Sequence, residues 1–311
     1  MSVVCFGELL IDFVPTEKGV PVGEAAQFIK AAGGAPANVA VAISRLNHPA
    51  YFLGMVGDDL FGHFLAKTLR EAGVNVEGLR FSREALTALA FVELSSSADR
   101  SFIFYRKPSA DMLMRPEDVA FELINGQRVF HFGSITLIDE PVKSATLAAV
   151  EYAQNQGLMI AYDPNLRLNL WPNHEAARQG MMTGLDHAQI VKVSAEELAF
   201  LTGGNDAMAL FRPQTRVLAV THGAAGAALY TRDQVVETAG FPVAAVDTTG
   251  AGDAFMAALI SGVLEAGDEL EDQLVEIGRF ACAAGAITTT SKGAIPALPT
   301  RQQVYDFLSA N

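Results

Sequence analysis

Residues 128–165 read RVFHFGSITLIDEPVKSATLAAVEYAQNQGLMIAYDPN, and they decide the architecture. RVFHFGSI is a short, continuous apolar run of the kind found in a buried strand. PVKSATLAAVEYAQNQG follows as a helix, opened by Pro141, whose fixed φ suits a first turn, and stopped by Gly157. LMIAYDPN is a second buried strand that ends in polar residues. A strand, a helix and a strand in succession predict a parallel pair joined by a right-handed crossover.

The alternation continues on the C-terminal side. HEAARQGMMTGLDHA is helical, QIVKVS a strand, AEELAFLTG a helix closed by Gly203, and RVLAVTHG a strand. The fold class is therefore α/β, with a mostly parallel central sheet covered by helices on both faces. Ligands bind such sheets at the edge where the C-terminal strand ends gather. Two regions break the rhythm. ALAFVELS and SFIFYRK, separated by SSADR, read as a hairpin; residues 10–28 read as extended, punctuated by Pro15, Gly19, Pro21 and Gly23. Strands from about 10–30 and 86–108 are expected to form a small separate sheet within one domain spanning 1–311, placed as a lid or a dimer surface.

The chain has 311 residues, half of them hydrophobic and 18% charged, which supports a large buried core. Its formal charge of -13 makes it a poor general binder of nucleic acid or anionic membrane, although a local site can still take a small anion. Cys5 and Cys282 lie in apolar surroundings without a CxxC, so they read as buried small hydrophobes in a reducing cytoplasm. MSVVCFGELLIDF has no basic leader region and reads as a first strand. No apolar run approaches the roughly 20 residues of a bilayer span. There is no GxxxxGK[ST], no GxSxG, and no metal-ligand spacing among the histidines.

Two glycine clusters carry chemistry. In DTTGAGDAFMAALISGVLEAG, residues Phe255, Met256, Leu259, Ile260, Val263 and Leu264 recur at helical spacing as one buried face, and Gly267 ends the helix. Gly250, Ala251, Gly252 and Asp253 then occupy the first turn. The unpaired N–H groups and the positive dipole end can hold a phosphate, and small residues let it approach the backbone. Asp253 is either an acid that stabilises a helix N-terminus or a general base beside a bound phosphate. In AAGGAPANVAVAISRLN, Gly33 and Gly34 precede Pro36 and place Asn38 in a helix start; this is either a plain turn or a surface for a polyol. Two such starts favour a two-substrate site.

With these motifs in view, the chain resembles the ribokinase-like (PfkB) family of sugar kinases. AGGAPANVAVAISRL looks like the family's N-terminal signature and DTTGAGDAF like its C-terminal one. The resemblance is nearest to the fructokinases, through FGELLIDFVP, FYRKPSADMLM, GSITLIDEP, YDPNLRLNLWP and IVKVSAEELAFLTG. It implies a ribokinase-like three-layer α/β/α sandwich with a small β lid, and an alcohol-group phosphotransferase that uses ATP and Mg²⁺ to phosphorylate fructose. A kinase for 2-keto-3-deoxygluconate or a riboside is the sibling alternative, with Arg106, Lys107 and Arg167 available to an acidic sugar; a non-catalytic sugar sensor is the alternative from another class.

The resemblance also implies roles. Asp253 is the base, and Gly250, Ala251 and Gly252 form the anion hole. Asp12, Gly33, Gly34, Asn38, Asn165 and Arg167 face the sugar or the transferred phosphate. Arg106, on the lid, reaches both sugar and phosphate. Lys192, Ser194, Glu197, Thr221, Gly223, Gly226 and Gly252 serve the nucleotide, with Glu197 acting on Mg²⁺ through water. Ser194 stands where the wider family has Asn. ITTTSKGAIPALP implies a K⁺ site made by Asp247, Thr249, Thr288, Ser291, Gly293 and Ala297. The expected partners are small molecules and a second copy bound through the lid.

Overall fold

The computed structural model describes residues 2–17, 19–94 and 100–311. The elements in chain order are β1 (Val3–Phe6), β2 (Leu10–Pro15), β3 (Phe28–Gly33), α1 (Ala35–Arg45), β4 (Ala50–Gly57), α2 (Leu60–Glu71), β5 (Val74–Asn75), β6 (Leu79–Ser82), β7 (Leu89–Leu94) and β8 (Arg100–Tyr105). They continue with β9 (Val129–Gly133), α3 (Val142–Asn155), β10 (Met159–Asp163), α4 (His174–Leu185), β11 (Ile190–Ser194), α5 (Ala195–Thr202), β12 (Val217–Thr221), β13 (Gly226–Tyr230), β14 (Val235–Ala239), α6 (Ala251–Ala266), α7 (Leu274–Thr289) and α8 (Arg301–Ala310).

The central sheet runs β14-β13-β12-β11-β10-β9-β1-β4-β5, with β6 also paired to β4. All neighbours are parallel except β12–β13 and β13–β14. Both faces are covered, and the alternation of side chains shows how. Val3 and Cys5 join the core made with α1, α2, α6, α7 and α8, while Val4 and Phe6 join the core made with α3, α4 and α5. A strand buried on both sides has no polar face to show, which is why these runs read as continuously apolar.

The second sheet runs β3-β2-β7-β8, from the expected regions. Its strands pair antiparallel except for β2–β7. Asp12, Ala31, Ala90 and Phe104 share one rung of the ladder. Leu10, Ala88 and Ala90 pack with Phe102 and Phe104 on one face. The other face carries Phe13, Phe28, Phe91 and Tyr105 in mutual ring contact. Most of the polar connection expected at 96–100 lies outside the described residues.

Two expectations are corrected. MSVVCFGELLIDF is not one strand: Gly7–Glu8–Leu9 divides it, sending β1 to the central sheet and β2 to the small one. A β-carbon at Gly7 would stand 2.5 Å from Pro36 Cγ, so the close approach of α1 requires glycine there. Nor does α6 bury a single face. Every residue from Asp253 to Ser261 is buried, because the helix lies against α1 and α7 as well as the sheet.

Candidate active site

A cleft of about 250 Å³ opens where the C-terminal ends of the parallel strands face the small sheet. The segments after β1, β9 and β10 supply Glu8, Ile135, Asn165 and Arg167; β11 supplies Lys192. The two glycine-led helix starts supply Gly34, Asn38, Gly250, Gly252 and Asp253, and Thr248 and Thr249 precede the second. The small sheet closes the cleft with Leu10, Asp12, Phe102 and Phe104.

α6 begins at Ala251 with Gly250 as its N-cap in the left-handed region, φ 83°. A β-carbon at Gly250 would lie 2.9 Å from Ala294 Cβ, so both conformation and space call for glycine. No side chain caps this turn; the Ala251 N–H makes a long 3.3 Å bond to Thr248 O, and those of Gly250 and Gly252 are left for a ligand. Lys192 Nζ stands over the turn, 3.2 Å from where a β-carbon of Gly252 would be. Lys192 is also paired with Asp163 at 2.8 Å, both side chains buried. Burial works against its ammonium, but Asp163, Glu197 and Asp253 outweigh that and hold its pKa above the ordinary lysine value.

Asp253 is buried at the same turn, and its Oδ2 accepts from Asn38 Nδ2 at 2.7 Å. Burial pushes its carboxyl up to about 6; the Asn38 bond pulls it down, Asp163 pushes it up, and Lys192 and Arg167 pull it down. A carboxyl at that value is ionised at neutral pH and still basic enough to take a proton from a hydroxyl. Asn38 Oδ1 is buried without a partner, in a side chain that lines the cleft. Glu8 is 2% exposed, and burial raises its carboxyl to about 7 against its own backbone N–H and Arg106.

The lid is tied to the body beside this site. Asn169 Nδ2 donates to Phe102 O at 2.6 Å, and the Arg167 guanidinium lies 5.1 Å from the Phe102 ring centre.

Most of the expected residues meet here: Asp12, Gly34, Asn38, Asn165, Arg167, Lys192, Thr249, Gly250, Gly252 and Asp253 line the cleft, with Ala251 between two of them. Gly33 lies behind Asp12, whose Oδ2 would stand 2.1 Å from a β-carbon there. Arg106 is not among the residues that line the cleft: it follows β8, is 4% exposed, donates from Nε to Asp111 at 2.6 Å, and keeps Nη2 buried without a partner.

Ser194 and Glu197 form a reciprocal cap on α5. Glu197 accepts from Ser194 N at 2.8 Å and from Leu166 N at 2.7 Å, one N–H on each oxygen. Thr221 pairs with Ser194 across the strand ends, and Gly223 and Gly226 shape the loop beyond, both at positive φ. Asp247 clasps two loops beside α6, accepting from Thr249 N at 2.8 Å and Gly293 N at 2.9 Å. The Thr288 hydroxyl donates to Ala284 O at 2.8 Å within the last turns of α7, and Ser291 and Ala297 lie in the segment that follows.

Sequence reasoning missed Glu8, Asp163 and the aromatic wall of Phe102 and Phe104. The signal was present for the acids: a carboxylate that ends an apolar parallel strand lies at the ligand-binding edge of the sheet.

The pattern of the pfkB family carbohydrate kinases matches residues 1–301. A probable fructokinase-2 of Arabidopsis thaliana is 52% identical over 313 residues, covering 98% of this chain and 95% of that protein. The fructokinase of Xylella fastidiosa, solved with bound ATP, superposes with a TM-score of 0.90 at 36% identity over 99% of this chain and 98% of its own. A double mutant of the Vibrio cholerae O395 fructokinase, solved in a form with fructose, ADP and potassium ion bound, gives 0.89 at 35% identity over 99% and 98%. With a family pattern and full-length likeness added to a cleft built from two glycine-led helix starts, the chain belongs to the pfkB family of carbohydrate kinases.

Proposed function

We propose that the chain is an ATP-dependent fructokinase, transferring the γ-phosphoryl group to the 6-hydroxyl of D-fructose, and that residues 1–311 act as one kinase domain. The observation that carries the reading is the Asn38–Asp253 pair, a buried base at an uncapped, glycine-led helix start.

Asp12, Asn38 and Asn165 bind the sugar's hydroxyls, with Gly33 and Gly34 allowing the close approach. Asp253 accepts the proton of the attacking hydroxyl as the bond to phosphorus forms. The N–H groups of the Gly250–Ala251–Gly252 turn and the Lys192 ammonium stabilise the negative charge on the moving phosphoryl group, with Arg167 beside them. Ser194, Thr221, Gly223 and Gly226 line the nucleotide side. Phe102 and Phe104 exclude water when the lid is shut, which limits idle hydrolysis of ATP.

Magnesium fits as an ion carried chiefly by the nucleotide. No group of three or more acidic, His or Cys side chains is gathered for a metal among the described residues. Glu197 retains lone pairs for water beyond its two backbone N–H bonds. When bound, Mg²⁺ neutralises phosphate charge. The Asp247 clasp, with the carbonyls of Thr249, Thr288, Ser291, Gly293 and Ala297, suits K⁺, which would stiffen the entry to α6.

The acidic-sugar reading is disfavoured because Glu8, Asp12 and Asp253 all line the cleft, with Arg167 and Lys192 as its cations, while Arg106 is paired with Asp111 outside the lining. The sensor reading is weakened by a base already paired for its task. A homodimer through the lid is part of the proposal, supported by Ile29, Ile103 and Tyr105 exposed on its outer strands. A cytoplasmic location is also part of it: Cys5 and Cys282 are free and buried, and no helix among the described residues is long and apolar enough to cross a membrane. ADP release measured over fructose, 2-keto-3-deoxygluconate and ribosides tests the reading. Preference for the keto acid would overturn the fructose assignment.

A further inference from the structure

The base is held by Asn38, and Asn38 rides on a helix that does not cap itself. The N-cap of α1 is Gly34, which has no side chain to offer, and Pro36 has no N–H. The Ala35 N–H is therefore an orphan donor of the first turn. Glu8, 27 residues earlier and just past β1, takes it at 3.0 Å through Oε1. The Glu8 backbone is seated against the same turn: a β-carbon at Gly34 would stand 2.4 Å from Glu8 O. One turn further along α1, Asn38 Nδ2 reaches Asp253 Oδ2.

Behind Glu8 lies the buried Arg106–Asp111 pair, where Arg106 favours the ionised carboxylate and Asp111 opposes it. Arg106 directly follows β8, the lid strand whose Phe102 and Phe104 line the cleft. A carboxylate beside a helix N-terminus is further favoured by the helix dipole.

We propose that Glu8 is a positioning residue for phosphoryl transfer: it pins the N-terminus of α1 so that Asn38 stays in register with Asp253. The proposal rests on Asp253 being the base.

The test compares wild type, Glu8→Ala, Glu8→Gln, Glu8→Asp, Asn38→Ala and the Glu8→Ala/Asn38→Ala double variant, with kcat/KM for fructose followed across pH. Glu8→Gln keeps an acceptor for the Ala35 N–H and is expected to stay within about threefold of wild type. Glu8→Ala is expected to lose about tenfold, the scale of one hydrogen bond, and to move the acid limb of the profile upward, as Asn38→Ala does. The double variant should be little worse than Asn38→Ala alone, since both changes cut one chain of contacts.

The position of the limb does not depend on how much enzyme is folded. If Glu8→Ala gives no soluble protein, Glu8→Asp, whose shorter arm withdraws from Ala35, is expected to show the same shift. An active wild type whose Glu8→Ala and Glu8→Asp variants keep its limb, with losses that multiply with that of Asn38→Ala, would overturn the proposal. A wild type that phosphorylates no sugar would overturn it together with the base reading.

Discussion

Replacing Asn38 with alanine tests the electrostatics of the base. Asn38 Nδ2 donates to Asp253 Oδ2 at 2.7 Å, with Asn38 only 4% and Asp253 8% exposed, so water does little to screen the bond. The bond favours the ionised carboxylate, whose pKa stands at about 6 with it in place. A hydrogen bond to a charged group contributes about 1.5–3 kcal/mol, and one pKa unit corresponds to about 1.4 kcal/mol. The acid limb of kcat/KM should therefore rise by about one to two units. The sign follows from the chemistry: the base works deprotonated, so activity is lost as pH falls through the folded-state pKa. At pH 7 ionisation alone then costs the variant about two- to tenfold, and the deficit shrinks toward pH 9. Asn38 also lines the cleft and is proposed to bind the sugar, so KM should rise at every pH; the position of the limb separates the two effects. Initial rates of ADP release across pH for wild type and variant measure it. A limb that stays within about 0.3 unit of wild type would refute the argument that this bond sets the ionisation of Asp253.

Asp253→Asn should lower kcat by about 10²–10⁴-fold while leaving sugar binding largely intact; calorimetric titration alongside rates checks both, and near-wild-type turnover would remove Asp253 from the base role. Gly250→Ala places a β-carbon at φ 83° and 2.9 Å from Ala294 Cβ, so it should cost about 1–2 kcal/mol or more and lower Tm in a thermal melt. An unchanged melting curve would mean the turn carries no such constraint. Asn169→Ala removes the 2.6 Å bond to Phe102 O and should raise the ratio of idle ATP hydrolysis to sugar phosphorylation; an unchanged ratio would show that this contact does not hold the lid.

What could be read in the sequence depended on distance along the chain. β9, α3 and β10 were legible because Pro141 and Gly157 punctuate a helix between two apolar runs. The glycine-led start of α6 was legible because Gly250, Gly252 and Asp253 lie within four residues. The break between β1 and β2 was legible only in part: the second sheet was expected from about residue 10, where β2 begins, but a strand buried on both faces carries no periodicity, so 1–13 also read as one strand. The Arg106–Asp111 pair could not be read, because it depends on the fold of the segment after β8, which brings Asp111 to the guanidinium. Glu8 and Asp163 went unseen because their partners, Ala35 and Lys192, lie 27 and 29 residues away. Asn38 and Asp253, 215 residues apart, could each be suspected, but their hydrogen bond could not.

The central claim is tested most directly by identifying the product made from ATP, Mg²⁺ and D-fructose by phosphorus and carbon NMR. The account predicts stoichiometric ADP and fructose phosphorylated on the 6-hydroxyl. ADP without a sugar phosphate, or phosphorylation of 2-keto-3-deoxygluconate in preference to fructose in a mixture of the two, would contradict it.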